Sequence, residues 1–174
     1  MSVEYPSVDA VMVADEELLG QLNRLRGSRT VIVGIGNVLK GDDAAGPLVC
    51  ERLHRMGIGA ELIDAGTVPE NYIQPIIKKT PQNLLIIDAM DFGAPPGTVR
   101  LFRPEQLSTS IWSTHTLSPR IFADMVCRSV QADVYFIGIQ PAQVQLGEPI
   151  SEQVSCATQK LSRLLAEVFP RARR

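Results

Sequence analysis

Residues 30–37 read TVIVGIGN and residues 41–47 read GDDAAGP, and this stretch decides the fold. Thr30 to Ile35 is a short, continuous run rich in β-branched side chains, the composition of a strand buried on both faces. Gly36 and Asn37 break the run and open a loop that ends at Gly41, Asp42 and Asp43. Pro47 has no N–H to donate and is tolerated only in a first helical turn, so a helix is predicted from near Ala44 to about Met56. A doubly buried strand, an acidic loop and a helix make the opening unit of an α/β protein.

The same alternation continues. Strands are predicted at Ala60 to Ile63, Leu84 to Ile87 ending at Asp88, Thr98 to Phe102 and Val134 to Ile139. Helices are predicted from Glu70 to Lys79, kinked or shortened by Pro75, from Pro119 to about Ser129, and from about Ser151 to Phe169. Arg100 and Arg103 suit a strand at the sheet's edge. The pattern predicts a three-layer α/β/α fold with a mostly parallel sheet of about five strands. Residues 29–170 form its single domain. Residues 1–28 are an N-terminal extension, with Leu18, Leu19, Leu22 and Leu25 at helical spacing and Gly27 as a stop, and residues 171–174 are a basic tail.

Composition excludes several classes of function. With 17 basic and 19 acidic residues the net charge is −2, which gives no electrostatic footprint for nucleic acid or an anionic membrane. No apolar run approaches the roughly 20 residues that cross a bilayer, and no basic segment followed by an apolar one opens the chain, so a cytoplasmic protein is expected. Cys50, Cys127 and Cys156 contain no C-x-x-C pair, which argues against both a disulfide framework and a zinc knuckle. All three fall in predicted helices and are expected to be reduced, buried and inert.

In an open parallel sheet, ligands bind beyond the carboxyl ends of the strands. That rule collects Asp42 and Asp43 after the first strand, Asp64 after the second, Asp88 and Asp91 after the third, and His115 in the loop before the Pro119 helix. Gathered carboxylates repel one another unless a proton or cation intervenes. Two carboxylates and an imidazole make a common three-ligand metal set that leaves positions open for substrate or water. Singly, each residue has a plain structural reading: an acid capping a helix, an acid ending a strand, a histidine bonding nearby backbone. If the helix opens at Ala44, Asp43 is its N-cap, where the dipole favours a charged carboxylate, and Asp42 orients the loop.

Other motifs fall short. Gly34-Ile35-Gly36 begins a dinucleotide fingerprint, but Leu39 stands where a third glycine is required. There is no P-loop, zincin helix or G-x-S-x-G elbow. His54, late in a helix, reads as a surface residue complementing the helix C-terminus.

Taken in order, Gly34-Ile35-Gly36-Asn37, Gly41-Asp42-Asp43-Ala44-Ala45-Gly46, Asp64-Ala65-Gly66-Thr67, Leu84 to Ala89 and His115 resemble the hydrogenase maturation endopeptidases over Thr30 to Leu165. Pro95-Pro96-Gly97-Thr98, Thr114-His115 and Gly138-Ile139-Gln140-Pro141 look most like the branch serving formate-hydrogenlyase-type hydrogenases. The resemblance implies removal of a C-terminal peptide from the nickel-loaded precursor of a nickel-iron hydrogenase large subunit. It also implies Asp43, Asp88 and His115 as the metal ligands and as the catalytic residues of a peptide-bond hydrolase, aspartyl-type or metal-dependent. The nickel would arrive with the substrate, and another divalent cation could occupy the site. The chain departs from the family's usual pattern at Ala65, where two adjacent glycines are often found. A non-catalytic nickel checkpoint or chaperone for a metalloenzyme precursor is the alternative from another class, and a nucleotide-binding domain of the same fold is a third.

Overall fold

The computed structural model describes residues 8–107 and 119–171. Five strands, β1 (Thr30–Ile35), β2 (Glu61–Gly66), β3 (Asn83–Ala89), β4 (Val99–Phe102) and β5 (Asp133–Ile139), form one sheet in the order β2-β1-β3-β5-β4. The pairs β1–β2, β1–β3 and β3–β5 are parallel, and only the edge strand β4 runs antiparallel to β5. The expected strand number and mostly parallel sheet are both observed.

Side-chain alternation sorts the strands into two cores. On one face Ile32, Leu85, Ile87, Ala89, Ile137 and Ile139 pack with α1 (Val8–Asn23), α2 (Ala45–Met56) and α5 (Glu152–Val168). On the other, Val31, Val33, Leu84, Ile86 and Phe136 pack with α3 (Ile73–Lys78) and α4 (Pro119–Ser129). The central strands β1 and β3 are buried at every position, as a doubly covered parallel strand requires. Each fully buried Leu, Ile or Phe contributes roughly 1.5–3 kcal/mol through its loss of water contact.

Several boundaries moved for physical reasons. The helix predicted from Glu70 opens instead as a 3₁₀ turn over Pro69–Tyr72, and α3 is only six residues long, with Pro75 in its first turn. β3 runs past Ile87 because Asp88 and Ala89 pair with Gly138 and Ile139 of β5. β4 is the predicted edge strand; its Arg100 lies 5.0 Å from the Phe92 centroid, and Arg103, just past its end, lies 4.3 Å from that of Tyr135. Leu18, Leu22 and Leu25 of the N-terminal segment are buried in the α2–α5 core. No helix among the described residues is long and apolar enough to cross a membrane.

The three cysteines are free, as expected, but only Cys50 is buried; Cys127 and Cys156 are exposed. The expectation of buried thiols fails at these two because α4 and α5 turn other residues, Phe122, Ala123 and Val126 in α4 and Val154, Ala157 and Leu161 in α5, toward the sheet. Burial, aided by the negative charge of Asp64, pushes the Cys50 thiol up to about 12, and its Sγ donates to the Ile63 carbonyl at 3.6 Å. A thiol raised in this way stabilises the fold below its unfolded value of 9.0, and that contribution is lost as pH rises from there toward about 12. Two results are expected: a maleimide labels Cys127 and Cys156 of the native protein but spares Cys50, and replacing Cys50 by Ala flattens the fall in stability above pH 9.0. Labelling of all three native thiols at one rate would contradict the first.

Candidate functional site

Strand order reverses about β1 and β3: the connection from β1 goes outward to β2, and the chain returns to β3 on β1's other side. Beyond the carboxyl ends of two such strands the departing loops splay apart and leave a crevice, the usual binding place of an open α/β sheet. The loop after β1 closes on this junction through a 3₁₀ turn, Gly41–Ala44, which runs directly into α2 and contacts β3. Gly46, in the first turn of α2, lies so close to the strand ends that a methyl group there would collide with the Ile35 and Ile87 carbonyl oxygens. Ile87 immediately precedes Asp88.

Asp43, on the turn, and Asp88, near the end of β3, are both buried. Asp88 alternates with Leu84 and Ile86 and so shares their face of the sheet, the one covered by α3 and α4. Asp43 accepts the Asn37 backbone N–H at 3.0 Å through Oδ2, which ties its carboxylate to the beginning of the loop. Gly36 N donates to the Gly66 carbonyl at 2.9 Å, so the start of that loop is also held to the end of β2. His115, the third expected ligand, lies outside the described residues. By sequence it stands four residues before Pro119, the start of α4, whose Phe122 and Ala123 pack on the Asp88 face. Among the described residues no three His, Cys, Asp or Glu side chains are grouped so that they could hold a metal ion.

Other acids have different duties. Asp43 is not the N-cap of α2: that position is Ala44, which makes no side-chain cap, because the 3₁₀ turn intervenes and places Asp43 inside it. Asp42 is fully buried and accepts four hydrogen bonds from residues 142, 143 and 151. Asp64 is exposed and turns its Oδ1 onto the Gly66 N–H at 3.0 Å. It alternates with Ile63 and Ala65, so it lies on the α2 face, away from Asp88's. Asp91 Oδ1 accepts from Gly93 N at 3.1 Å and from Gln140 Nε2 at 3.0 Å. The buried Gln140 amide also accepts from Phe92 N and Ala94 N, at 2.9 and 3.2 Å, and so fastens the loop beyond Asp88. His54 is exposed in the last turn of α2, as expected. The supporting parts of Asn37, Gln140 and Ser151 were not foreseen; each depends on a contact formed only when the chain has folded.

Residues 47–168 match the family model HycI, hydrogenase maturation protease. The Hydrogenase 3 maturation protease of Escherichia coli K12 is 33% identical over 137 residues, covering 78% of this chain and 87% of the relative. The crystal structure of the nickel-iron hydrogenase maturation protease HycI from Thermococcus kodakarensis superposes with a TM-score of 0.77 at 33% identity, covering 86% of this chain and 97% of that one. The solution structure of the Escherichia coli endopeptidase HycI gives 0.70 at 30% identity, over 82% and 96%. With its matched sheet, its acidic loop at the β1–β3 junction and these relatives, the chain belongs to the HycI family of hydrogenase maturation proteases and is an endopeptidase.

Proposed function

We propose that this endopeptidase removes a short C-terminal peptide from the nickel-loaded precursor of a nickel-iron hydrogenase large subunit, in the cytoplasm, and that Asp43, Asp88 and His115 receive the nickel that the substrate carries. The observation that carries the reading is the arrival of two buried carboxylates, Asp43 and Asp88, at one strand-order junction in a chain of this family. Carboxylate and imidazole donors suit a divalent nickel ion, whose preferred ligands are nitrogen and oxygen. Nickel is thus part of the substrate, and its presence is what the enzyme checks.

The discrimination follows from electrostatics. A loaded precursor brings a cation to two carboxylates held out of water, whereas an empty one leaves those charges to repel each other. Binding energy is then available only for a precursor that has completed metal insertion. Once the chain is docked, a carboxylate at the junction is placed to take a proton from the attacking water, and the released subunit can mature into an active hydrogenase. The enzyme therefore acts as an activator of another enzyme.

The test is direct: incubate the protein with nickel-loaded and nickel-free precursors and follow shortening of the large subunit on a gel. Cleavage of the loaded form alone is expected. Cleavage of both forms at one rate would remove the nickel check, and cleavage of neither would remove the assigned substrate.

A further inference from the structure

We infer that Asp42 is a positioning residue for the reaction: by welding the 3₁₀ turn to the β5–α5 connection it fixes where Asp43 presents its carboxylate. The inference rests on the role proposed above for Asp43.

Asp42 is 0% exposed, and both of its carboxylate oxygens are engaged by donors far away in sequence. Oδ1 accepts from Ser151 N at 2.6 Å; Oδ2 accepts from Ala142 N at 2.7 Å, Gln143 N at 3.1 Å and Ser151 Oγ at 2.9 Å. Ser151 is the N-cap of α5, and its Oγ also accepts from Val154 N, so that hydroxyl joins the start of a 17-residue helix to Asp42. The backbone of the turn is tied to the same connection, with Asp42 N donating to Gln143 O at 3.0 Å and Gly41 N to Glu148 O at 3.1 Å. Asp43 follows one peptide bond later and donates its own N–H to Lys40 O at 3.1 Å. A rigid body built from β5, α5 and the turn therefore sets the backbone that carries Asp43.

Only a carboxylate meets all four donors. An asparagine has one acceptor oxygen. If that oxygen takes the Oδ2 place, the NH2 group faces Ser151 N across 2.6 Å; if it takes the Oδ1 place, the NH2 group faces the Ala142 and Gln143 N–H groups. Either choice sets donor against donor, and relief requires the turn to move. Misplacement of a reacting group by about 1 Å lowers rates by roughly 100-fold.

The test compares Asp42→Asn, Ser151→Ala and Asp43→Asn with the parent on loaded precursor, reading kcat, KM and thermal unfolding. For Asp42→Asn, kcat/KM on loaded precursor should fall about 10- to 100-fold, because Asp43 remains but is misaligned, and amide hydrogen exchange at Asp43 should quicken. A folded Asp42→Asn enzyme with kcat/KM within about twofold of the parent overturns the inference, and so does unaltered hydrogen exchange at Asp43. Should Asp42→Asn not fold, Ser151→Ala decides. It removes a single hydroxyl, and amide hydrogen exchange at Asp43 should quicken about tenfold while that of Leu85 to Ile87 is unchanged; equal exchange in variant and parent overturns the inference. Asp43→Asn separates the two ideas: parental activity there defeats the site itself, whereas loss there with retention in Asp42→Asn defeats only the positioning role.

Discussion

Asp43→Asn and Asp88→Asn are each expected to slow processing of a nickel-loaded precursor by at least about 100-fold, since disturbing even the outer partners of a metal ligand already weakens such sites about 10- to 100-fold. Both residues are buried and the substitution keeps size and shape, so the fold should survive. For Asp43 the amide oxygen can still accept the Asn37 N–H, and the loss of stability should stay near 1 kcal/mol. What disappears is negative charge. Without it the loaded precursor no longer gains over the empty one, and whatever cleavage remains should be indifferent to nickel. Steady-state rates on the two precursors, with thermal unfolding of each variant, check this. Normal, nickel-selective processing by both variants would mean that neither aspartate senses the metal.

Gly46→Ala should be strongly damaging although it adds a single methyl group outside those ligands. Inside a helix, alanine is ordinarily favoured over glycine by about 1 kcal/mol. Here the sign reverses, because the new methyl would strike the carbonyl oxygens of Ile35 and Ile87, backbone atoms of two paired strands that cannot rotate away. Relief requires α2 to lift from the sheet, and overpacking of this kind costs roughly 1–3 kcal/mol or more. In a chain of this size that corresponds to a fall of roughly 2–10 °C in Tm. Activity should fall further than stability, since the turn bearing Asp43 runs directly into the displaced helix. Gly20→Ala is the control: that glycine lies in α1 with nothing within 4 Å, so alanine there should stabilise by about 0.5–1 kcal/mol. Equal Tm values for the two variants would show that α2 can give way at no cost.

Much of this was legible in the chain. β1 is legible to both of its ends because a strand buried on both faces carries a continuous β-branched and apolar run, and Thr30–Ile35 is bounded by polar and glycine residues. α4 was likewise read from Pro119 to Ser129, proline marking its first turn. The motif order that resembled a maturation protease family corresponds to the family that the chain matches, and membership decides for an enzyme over a non-catalytic checkpoint. Long-range contacts were harder to see. Asp43 looked like a helix cap from its neighbours alone, yet Gly41 and Asp42 are bonded to residues 143 and 148, and those bonds hold the segment as a 3₁₀ turn. Asp64 looked like a companion of Asp88 because both end strands, but register and alternation set them on different faces. Exposure of Cys156 was within reach of sequence, since Val154, Ala157, Thr158 and Leu161 already mark the buried stripe of α5 and leave position 156 off it.

The central claim is that this protein touches the nickel carried by its substrate, and X-ray absorption at the nickel edge of a loaded precursor tests that contact most directly. Recorded with and without the parent protein at low temperature, before cleavage, the spectrum should gain oxygen or nitrogen ligands at roughly 2.0–2.2 Å if nickel behaves as zinc does with such donors. Asp43→Asn and Asp88→Asn proteins should each leave at least one of those ligands missing. A nickel spectrum identical in the free precursor and in its complex with the parent protein would show that the metal is not bound by Asp43, Asp88 or His115, and would contradict the account.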